Sequence, residues 1–372
     1  MDIKKQNRLN SINAIIASLI GIVFGLVFGF IVLLIANPRL AIPGIIRMLI
    51  SPIANGMNSI GSVLYYSTTF IICAQSVAFA ANSGCFNIGV SGQYIVGSFM
   101  ACLVGVRLSY LPSFVVIPLA VICAMAAGAF WGAILGALKS LFNISEIVVS
   151  ILLNYVALYM VNALILKSTI YDSLRNRTIP IMGNSIMPRA GFDKLFPYAG
   201  VDLGLYIAIL FAIIMYFILN KTVFGYEIKL CGYNKDAALY TGVNTHKVNI
   251  LTMAIAGALP AIAGAFWHLS VAMNVISVVE IIPSAPMNGL SASLLAMGHP
   301  IGIIFTGLFI AYITVGGVNL QVFGYVPEIV SVVTGAIIYC SAFVMVIRMI
   351  IRNTGTNLLR RWKPGGNKEV EP

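Results

Sequence analysis

Charged side chains are scarce in this sequence. Only 9% of its 372 residues are Asp, Glu, Lys or Arg, whereas 60% are hydrophobic. Soluble domains usually carry about 25% charged residues, so a water-soluble fold would leave this much apolar surface without cover. The scarcity of charge excludes an ordinary soluble domain and predicts an all-α, polytopic helical membrane protein that has a lipid bilayer as its partner.

Motifs of metal binding and catalysis are missing as well. The six cysteines form no C-x-x-C pair, and Cys73, Cys102, Cys123 and Cys340 fall inside apolar runs. Neither a disulfide framework nor a zinc site is therefore expected. The motifs G-x-x-x-x-G-K-[ST], H-E-x-x-H and G-x-S-x-G are also absent from the sequence. We expect no catalytic residue, no metal, no cofactor and no enzyme activity.

The basic residues are clustered rather than spread. The formal net charge is +11 at pH 7, and Lys and Arg gather near the N-terminus, in the central segment 220–249 and near the C-terminus. Such clusters are typical of the cytoplasmic ends and loops of membrane proteins. We therefore expect no nucleic acid as a partner, in spite of the positive charge.

About ten apolar stretches have the length of roughly 20 residues that a membrane-spanning helix needs. Cytoplasmic termini place most Lys and Arg on the inner side, which the positive-inside rule favours. This order gives a cytoplasmic N-terminus (1–11), a transmembrane domain (12–347) and a basic cytoplasmic tail (348–372), with an outer loop at 168–201 and an inner loop at 220–249. The stretch 272–300 is open to two interpretations, one full span or two half-helices. The predicted spans are 12–36, 61–82, 88–108, 113–138, 146–167, 202–219, 250–271, 276–297, 299–319 and 326–347.

Small residues recur at every fourth position in three of the predicted spans. Such spacing places them on one helix face, where they let the backbones of two helices approach closely in lipid. The face can serve packing within the chain, which is the commoner use, or contact with a second subunit. The three sets are Gly21, Gly25 and Gly29; Gly128, Gly132 and Gly136; and Gly257, Ala261 and Ala265.

Asp, Lys and His are missing from the centres of the predicted spans. Glu146, Glu280 and Glu328 all fall near span ends. An ion-coupled secondary transporter needs titratable groups at mid-membrane, so this absence counts against that alternative and favours a path for a neutral solute. 

Polar residues, most of them uncharged, are better placed to line such a path. Glu146, Ser150 and Asn154 recur at i, i+4 and i+8 on one helix face, and others stand at the start of the third span and before Gly298. The alternative is that they form hydrogen bonds between helices or cap them. The residues predicted to line a path are Asn87, Gln93, Glu146, Asn154 and Asn288.

The inner loop contains a pattern typical of a short helix. Asp236, Ala237 and Ala238 are followed by Gly242, and a glycine in this position commonly ends a helix. The helix is either a solvated part of the loop or a docking surface for a cytoplasmic partner.

Several segments resemble one family of transport proteins. The run DAALYTG, which begins at Asp236, resembles the EAA-x-x-x-G loop of ABC importer permeases, with Asp in place of Glu. FNIGVSGQYIVGSFMA (86–101) resembles the F-N-I-G-x-E-G-Q signature of the branched-chain amino acid and simple-sugar permeases, with Ser91 where Glu is usual. SEIVVSILLNYVALY (145–159) and MNGLSASLLAMGHPIG (287–302) resemble two further segments of that family.

The resemblance implies a function and a set of partners. It implies the transmembrane permease subunit of an ABC importer in a bacterial cell (inner) membrane, and segment 37–58 is similar to the larger permease of nucleoside importers. The implied partners are a separate ABC ATPase subunit that binds ATP, a second permease in a heterodimer, and a substrate-binding lipoprotein. A simple sugar such as ribose, or a branched-chain amino acid, is the alternative solute. The residues expected to couple to the ATPase are Glu227, Asp236, Ala237, Ala238 and Gly242.

Overall fold

The computed structural model describes residues 3–341 and 343. The predicted tail 348–372 lies outside them. The described chain folds into helices α1 to α14, two two-residue strands that pair antiparallel, and 3-10 turns at Gly183–Ser185 and Asn319–Phe323. The helices are α1 Ile3–Ala36, α2 Ala41–Ala54, α3 Met57–Ala81, α4 Val90–Arg107, α5 Ser113–Phe142, α6 Glu146–Lys167, α7 Phe192–Leu195, α8 Gly204–Lys221, α9 Val223–Tyr233, α10 Lys235–Tyr240, α11 Thr245–His268, α12 Ala285–Leu295, α13 Gly302–Val318 and α14 Pro327–Ser341, and the strands are β1 Tyr171–Asp172 and β2 Arg177–Thr178.

Eight helices of the described chain are long and apolar enough to cross a membrane. They are α1, α3, α4, α5, α6, α8, α11 and α13, the last together with the turn that follows it. Helices α2 and α14 are shorter and also apolar. The prediction of an all-α, multi-pass membrane protein is confirmed, and about ten apolar helices agree with the predicted count.

The predicted span 276–297 is wrong as a continuous helix. Residues 269–284 are not helical, and α12 covers only 285–295. The N–H groups of Thr178 and Ile181 donate to the carbonyls of Ile276 and Asn274 at 2.9 and 3.0 Å, so this stretch pairs with the outer loop instead. Its run of Val and Ile favours extended backbone, and Pro283 prevents the helix from continuing toward the N-terminus. The stretch 272–300 therefore holds one half-helix preceded by extended chain, which is neither the full span nor the two half-helices that the sequence left open.

Helix α2 lies in the segment 37–58, where no helix was predicted. Its sequence contains two prolines and a glycine, which usually argue against a helix. Its isoleucines, however, are spaced three or four residues apart, as on one face of a helix. Its other face packs closely, since a Cβ atom on Gly44 would stand 3.3 Å from the ring of Tyr325. The exposed isoleucines are Ile42, Ile46, Ile50 and Ile53.

The small-residue faces pack within the chain, as the commoner interpretation holds. A Cβ atom on Gly132 of α5 would lie 2.2 Å from the Met253 carbonyl oxygen of α11, and one on Gly97 of α4 would lie 2.3 Å from the Ala261 Cα atom. Only glycine allows these backbones to approach so closely. Helices α4, α5 and α11 therefore form a tightly packed centre, and Gly29 of α1 packs on the Ile337 side chain of α14.

The two ends of the bundle carry different structures. At one end, here called the α10 end, lie α9, α10, the loop 82–89 between α3 and α4, and the turn between α5 and α6. At the other, the hairpin end, lie β1, β2, α7 and the extended chain after α11. The hydroxyl of Ser185 donates to the Gly105 carbonyl at 2.6 Å and so ties the outer loop to the end of α4.

Candidate translocation path and coupling region

Loop 82–89 turns back into the membrane layer before α4 begins. The Gly92 N–H donates to Asn154 Oδ1 at 2.7 Å, and Asn154 Nδ2 donates to the Ile88 carbonyl at 3.1 Å. Asn154 is eight residues into α6, about 12 Å along a helix that rises 1.5 Å per residue. Non-helical backbone at such depth is tolerated where protein surrounds it or where it lines a cavity.

The extended chain ahead of α12 reaches the same place. The Ser91 hydroxyl donates to the Pro283 carbonyl at 3.4 Å. Helix α12 then packs on α3, where a Cβ atom on Gly289 would lie 2.5 Å from Cys73 Cβ. Two interrupted spans thus meet where α4 starts, an arrangement that transporters use to build solute sites near the bilayer midplane.

Asn87 and Gln93 form one hydrogen-bond network at this meeting point. Asn87 Nδ2 donates at 2.9 Å both to Ser76 Oγ and to Gln93 Oε1. Asn87 Oδ1 accepts from the Gly89 N–H at 3.0 Å and from Gln93 Nε2 at 3.2 Å. Ser76 in turn donates to the Ala256 carbonyl of α11 at 2.6 Å. The network ties the loop to α3, α4 and α11.

Three of the five predicted path residues therefore lie close together, but their amide groups already bond to other groups of the chain. Asn87, Gln93 and Asn154 are buried, and their amides are used in hydrogen bonds within the chain. In this conformation they form hydrogen bonds between segments of the chain, which is the alternative to lining a solute path.

The other two predicted path residues differ from these and from each other. Asn288 is half-buried on α12, and within the described chain its side chain makes no hydrogen bond. Glu146 lies at the α10 end, where Lys139 Nζ stands 2.7 Å from its Oε1 atom. The structure does not place Glu146 beside Asn154, because two helical turns separate them.

Helix α10 is the short helix that the inner loop predicted. Asn234 Oδ1 accepts from the N–H groups of Asp236 and Ala237 at 3.0 and 3.1 Å and caps the helix. Gly242 has a φ of +82° and follows the helix, as predicted for its terminator. The capping role of Asn234 was missed, although an asparagine directly before a helix is a standard signal.

The α10 end exposes a group of large side chains to water. Tyr240 is 93% exposed and Tyr233 is 87% exposed, and half of Leu239 is accessible. Asp236 is also exposed, whereas Ala238 is fully buried and holds the helix against the bundle. Exposed aromatic and aliphatic groups of this kind mark an interaction surface, either for a protein or for a membrane. Glu227 is half-buried on α9 and is less accessible than these residues.

A polar cavity of about 360 Å³ opens beside this surface. Lys139, Glu146 and Asn249 line it, together with the backbone that joins α9 to α10. Lys139 Nζ also donates to the Gly84 carbonyl at 2.9 Å. The cavity therefore borders the junction of α9 and α10.

The hairpin end contains a buried carboxyl group. Asp202 is 5% exposed; its Oδ1 accepts from the Gly204 N–H at 2.9 Å, and its Oδ2 has no partner in the described chain. Burial raises the pKa of Asp202 to about 7, against the opposing effects of the Gly204 N–H and the Arg189 charge. Arg189 itself donates to the carbonyls of Phe196, Pro197, Ala199 and Val201.

No metal-binding cluster accompanies these features. Among residues 3–341 and 343, no group of three or more His, Cys, Asp or Glu side chains could hold an ion.

Comparison with known proteins identifies the family. The family model described as "Branched-chain amino acid transport system / permease component" matches residues 59–342, more than half of the chain. The chain belongs to this family. It is thus a multi-pass membrane protein and a transport subunit rather than an enzyme, and permeases of ABC importers work in general with ATPase and binding-protein partners.

Three relatives of the permease are informative. It is 34% identical to the nucleoside ABC transporter permease protein NupB of Lactococcus lactis, covering 92% of this chain and 94% of the relative. It is 32% identical to the guanosine ABC transporter permease protein NupP of Bacillus subtilis, covering 78% and 83%. It is 27% identical to NupQ, a second guanosine ABC transporter permease protein of Bacillus subtilis, covering 72% and 85%. No solved structure matches the permease.

Proposed function

We propose that this permease is the membrane-spanning subunit of an ABC importer for nucleosides and receives its solute from an extracytoplasmic binding lipoprotein. The observation that carries the proposal is the similarity to NupB and NupP, which extends over more than three quarters of the chain. The amide of Asn288, which has no hydrogen-bond partner in the described chain, and the absence of Asp, Lys and His from the predicted span centres suit a neutral, hydrogen-bonding solute.

The α10 end faces the cytoplasm in this proposal, and both termini lie on that side. Lys221, Lys229, Lys235 and Lys247 all belong to the segment around α9 and α10, and cytoplasmic loops carry such an excess of basic residues. Arginine in the outer loop weakens the contrast in charge between the two sides. The contacts of Arg189 with four backbone carbonyls give that residue a structural reason to be there.

The ATPase subunit docks on α10. Asp236, Leu239 and Tyr240 are exposed and offer the contact surface, whereas Ala237 and Ala238 hold α10 against the bundle. Gly242 ends the helix, and Glu227 supports it from α9. ATP binds to the ATPase subunit, and this chain holds no cofactor.

The second permease of the complex is a different chain. Bacillus subtilis has two guanosine ABC transporter permease proteins, and this chain is more similar to NupP than to NupQ. A heterodimer of one NupP-like and one NupQ-like permease accounts for that difference. 

Transport then proceeds by a change in the packing of the interrupted spans. The solute meets Asn288 on α12, and the network of Asn87, Gln93 and Asn154 holds the loop and the start of α4 in this conformation. When the ATPase subunits close, the spans rock and the path for the solute opens to the cytoplasm.

Competition in whole-complex uptake tests the solute. Membrane vesicles that contain both permeases, the ATPase and the binding protein should take up labelled guanosine with ATP, and unlabelled nucleosides should compete. Ribose and branched-chain amino acids should not compete. Competition by ribose or leucine, with none by nucleosides, would replace the nucleoside assignment with one of the alternative solutes.

A further inference from the structure

Loop 82–89 contacts helix α9 through two glycine backbones. A Cβ atom on Gly232 of α9 would lie 2.2 Å from the Asn82 carbonyl oxygen and 3.1 Å from the Gly84 nitrogen. Gly84 has a φ of +72°, a left-handed conformation that favours glycine. No side chain fits between the two segments, so a displacement of α9 presses directly on the loop backbone.

Gly84 is also fastened on its other side. Lys139 of α5 donates to the Gly84 carbonyl at 2.9 Å and to Glu146 Oε1 of α6 at 2.7 Å. The ammonium group thus joins the loop to the start of α6. The cavity of about 360 Å³ borders the same residues, so the junction of α9 and α10 faces open space on this side.

The far end of the loop reaches the mid-membrane network. Three residues after Gly84, Asn87 bonds to Ser76 and Gln93, and Asn154 holds the backbone of Ile88 and Gly92. A short piece of chain therefore joins the surface of the α10 end to the point where α4 begins and the chain before α12 arrives.

We propose that the contact between Gly232 and Gly84 transmits the movement of α9 and α10 to loop 82–89, and through it to the interrupted spans at mid-membrane. Gly232, Gly84 and Lys139 are positioning residues in this scheme. The proposal rests on the proposed function, since it takes the ATPase as the source of the movement. The competing route runs through α11, which follows α10 in the chain and packs on α5.

A glycine substitution distinguishes the two routes. Gly232→Ala places a methyl group against the Asn82 carbonyl and shifts the loop away from α9. The matched control is Gly335→Ala, also within a helix, because a Cβ atom there meets nothing within 4 Å. In the complete complex, Gly232→Ala should retain bound ATPase and ATP hydrolysis but lower the nucleoside taken up per ATP about tenfold, a usual size for coupling between two sites. Gly335→Ala should leave that ratio unchanged.

Two native cysteines supply a second readout. Cys85 and Cys231 stand next to the two glycines in the sequence and are both buried. Maleimide labelling followed by mass spectrometry should show that ATP trapped with vanadate changes the labelling rate of Cys85 in the parent complex. The same change should be seen in Gly335→Ala and be lost in Gly232→Ala.

A variant without added volume covers the case in which Gly232→Ala does not assemble. Lys139→Met removes the bond to the Gly84 carbonyl and should also lower uptake per ATP while the ATPase stays bound. Normal uptake per ATP in Lys139→Met or Gly232→Ala, with an unchanged Cys85 response, would assign the transmission to α11 and overturn the proposal. Absence of ATP-dependent uptake in the parent complex would instead reject the proposed function.

Discussion

At the scale of single residues, buried amide side chains hold loop 82–89 against α3, α4 and α6. Asn87, Gln93 and Asn154 stand out because a polar residue inside a span is costly and needs a reason. Their partners depend on loop 82–89 returning into the membrane, which is a long-range arrangement with no local pattern. Their role as mutual hydrogen-bond partners therefore needed the structure.

Replacement of Asn154 should destabilise the permease. Asn154→Leu leaves the Gly92 N–H and the Ile88 carbonyl without partners, and a buried unpaired group costs about 1–3 kcal/mol. The melting temperature in detergent should fall by several degrees. Ser150→Ala is the matched control: Ser150 lies one turn earlier, is equally buried, and its hydroxyl has no partner in the described chain. A melting temperature that falls as far in the control as in Asn154→Leu would refute this role.

Asp202 should make the stability of the permease depend on pH. Its pKa is about 7 in the folded protein against 3.8 for an ordinary aspartate, so the folded state binds the additional proton between those values. The contribution of Asp202 to stability should be complete below about pH 4, be lost as the pH rises toward 7, and not change further above it.

The matching variant is Asp202→Asn, which stays neutral and keeps an acceptor for the Gly204 N–H. At pH 8 it should be more stable than the parent by at most about 4 kcal/mol, because three pKa units are worth about 1.4 kcal/mol each. At pH 4.5 the difference should shrink. Melting curves in detergent at both pH values check this, and parallel pH profiles for the two proteins would argue against a raised pKa.

At the scale of elements, helices marked by local sequence signals were predicted well, whereas interrupted helices were predicted badly. Helix α10 followed from its alanines and from Gly242, because a cap and a terminator act within a few residues. The predicted span 276–297 failed because apolar length alone does not separate a spanning helix from extended chain that pairs elsewhere. Helix α2 was missed because proline and glycine usually argue against a helix.

The exposed face of α10 should be required for ATPase binding. Tyr240→Asp places a charge on a side chain that is 93% exposed, so the fold should survive while the apolar contact is lost. Co-purification of the ATPase should fall at least about tenfold, and uptake should fall with it. Tyr198→Asp is the control, since Tyr198 is 88% exposed at the hairpin end.

Two results would count against the docking surface. One is normal capture of the ATPase by Tyr240→Asp. The other is an equal loss of capture in Tyr198→Asp, which would show a general effect of added charge.

At the scale of the whole molecule, composition and glycine spacing predicted most of the architecture. The scarcity of charge predicted a membrane protein. The glycines at every fourth position from Gly128 to Gly136 predicted a close contact between helices, which the structure shows between α5 and α11. The order in which helices meet in space could not be predicted, because in lipid the pairing of apolar faces is decided by shape over the whole bundle.

The central claim is that this permease moves its solute only when a separate ATPase acts on the α10 end. The most direct measurement is uptake of labelled nucleoside into proteoliposomes that contain either the complete complex or the permease alone. The account predicts accumulation by the complete complex with ATP, none when the ATPase is omitted, and none by the permease alone under a sodium or proton gradient. Accumulation of nucleoside by the permease alone on an ion gradient would contradict the claim.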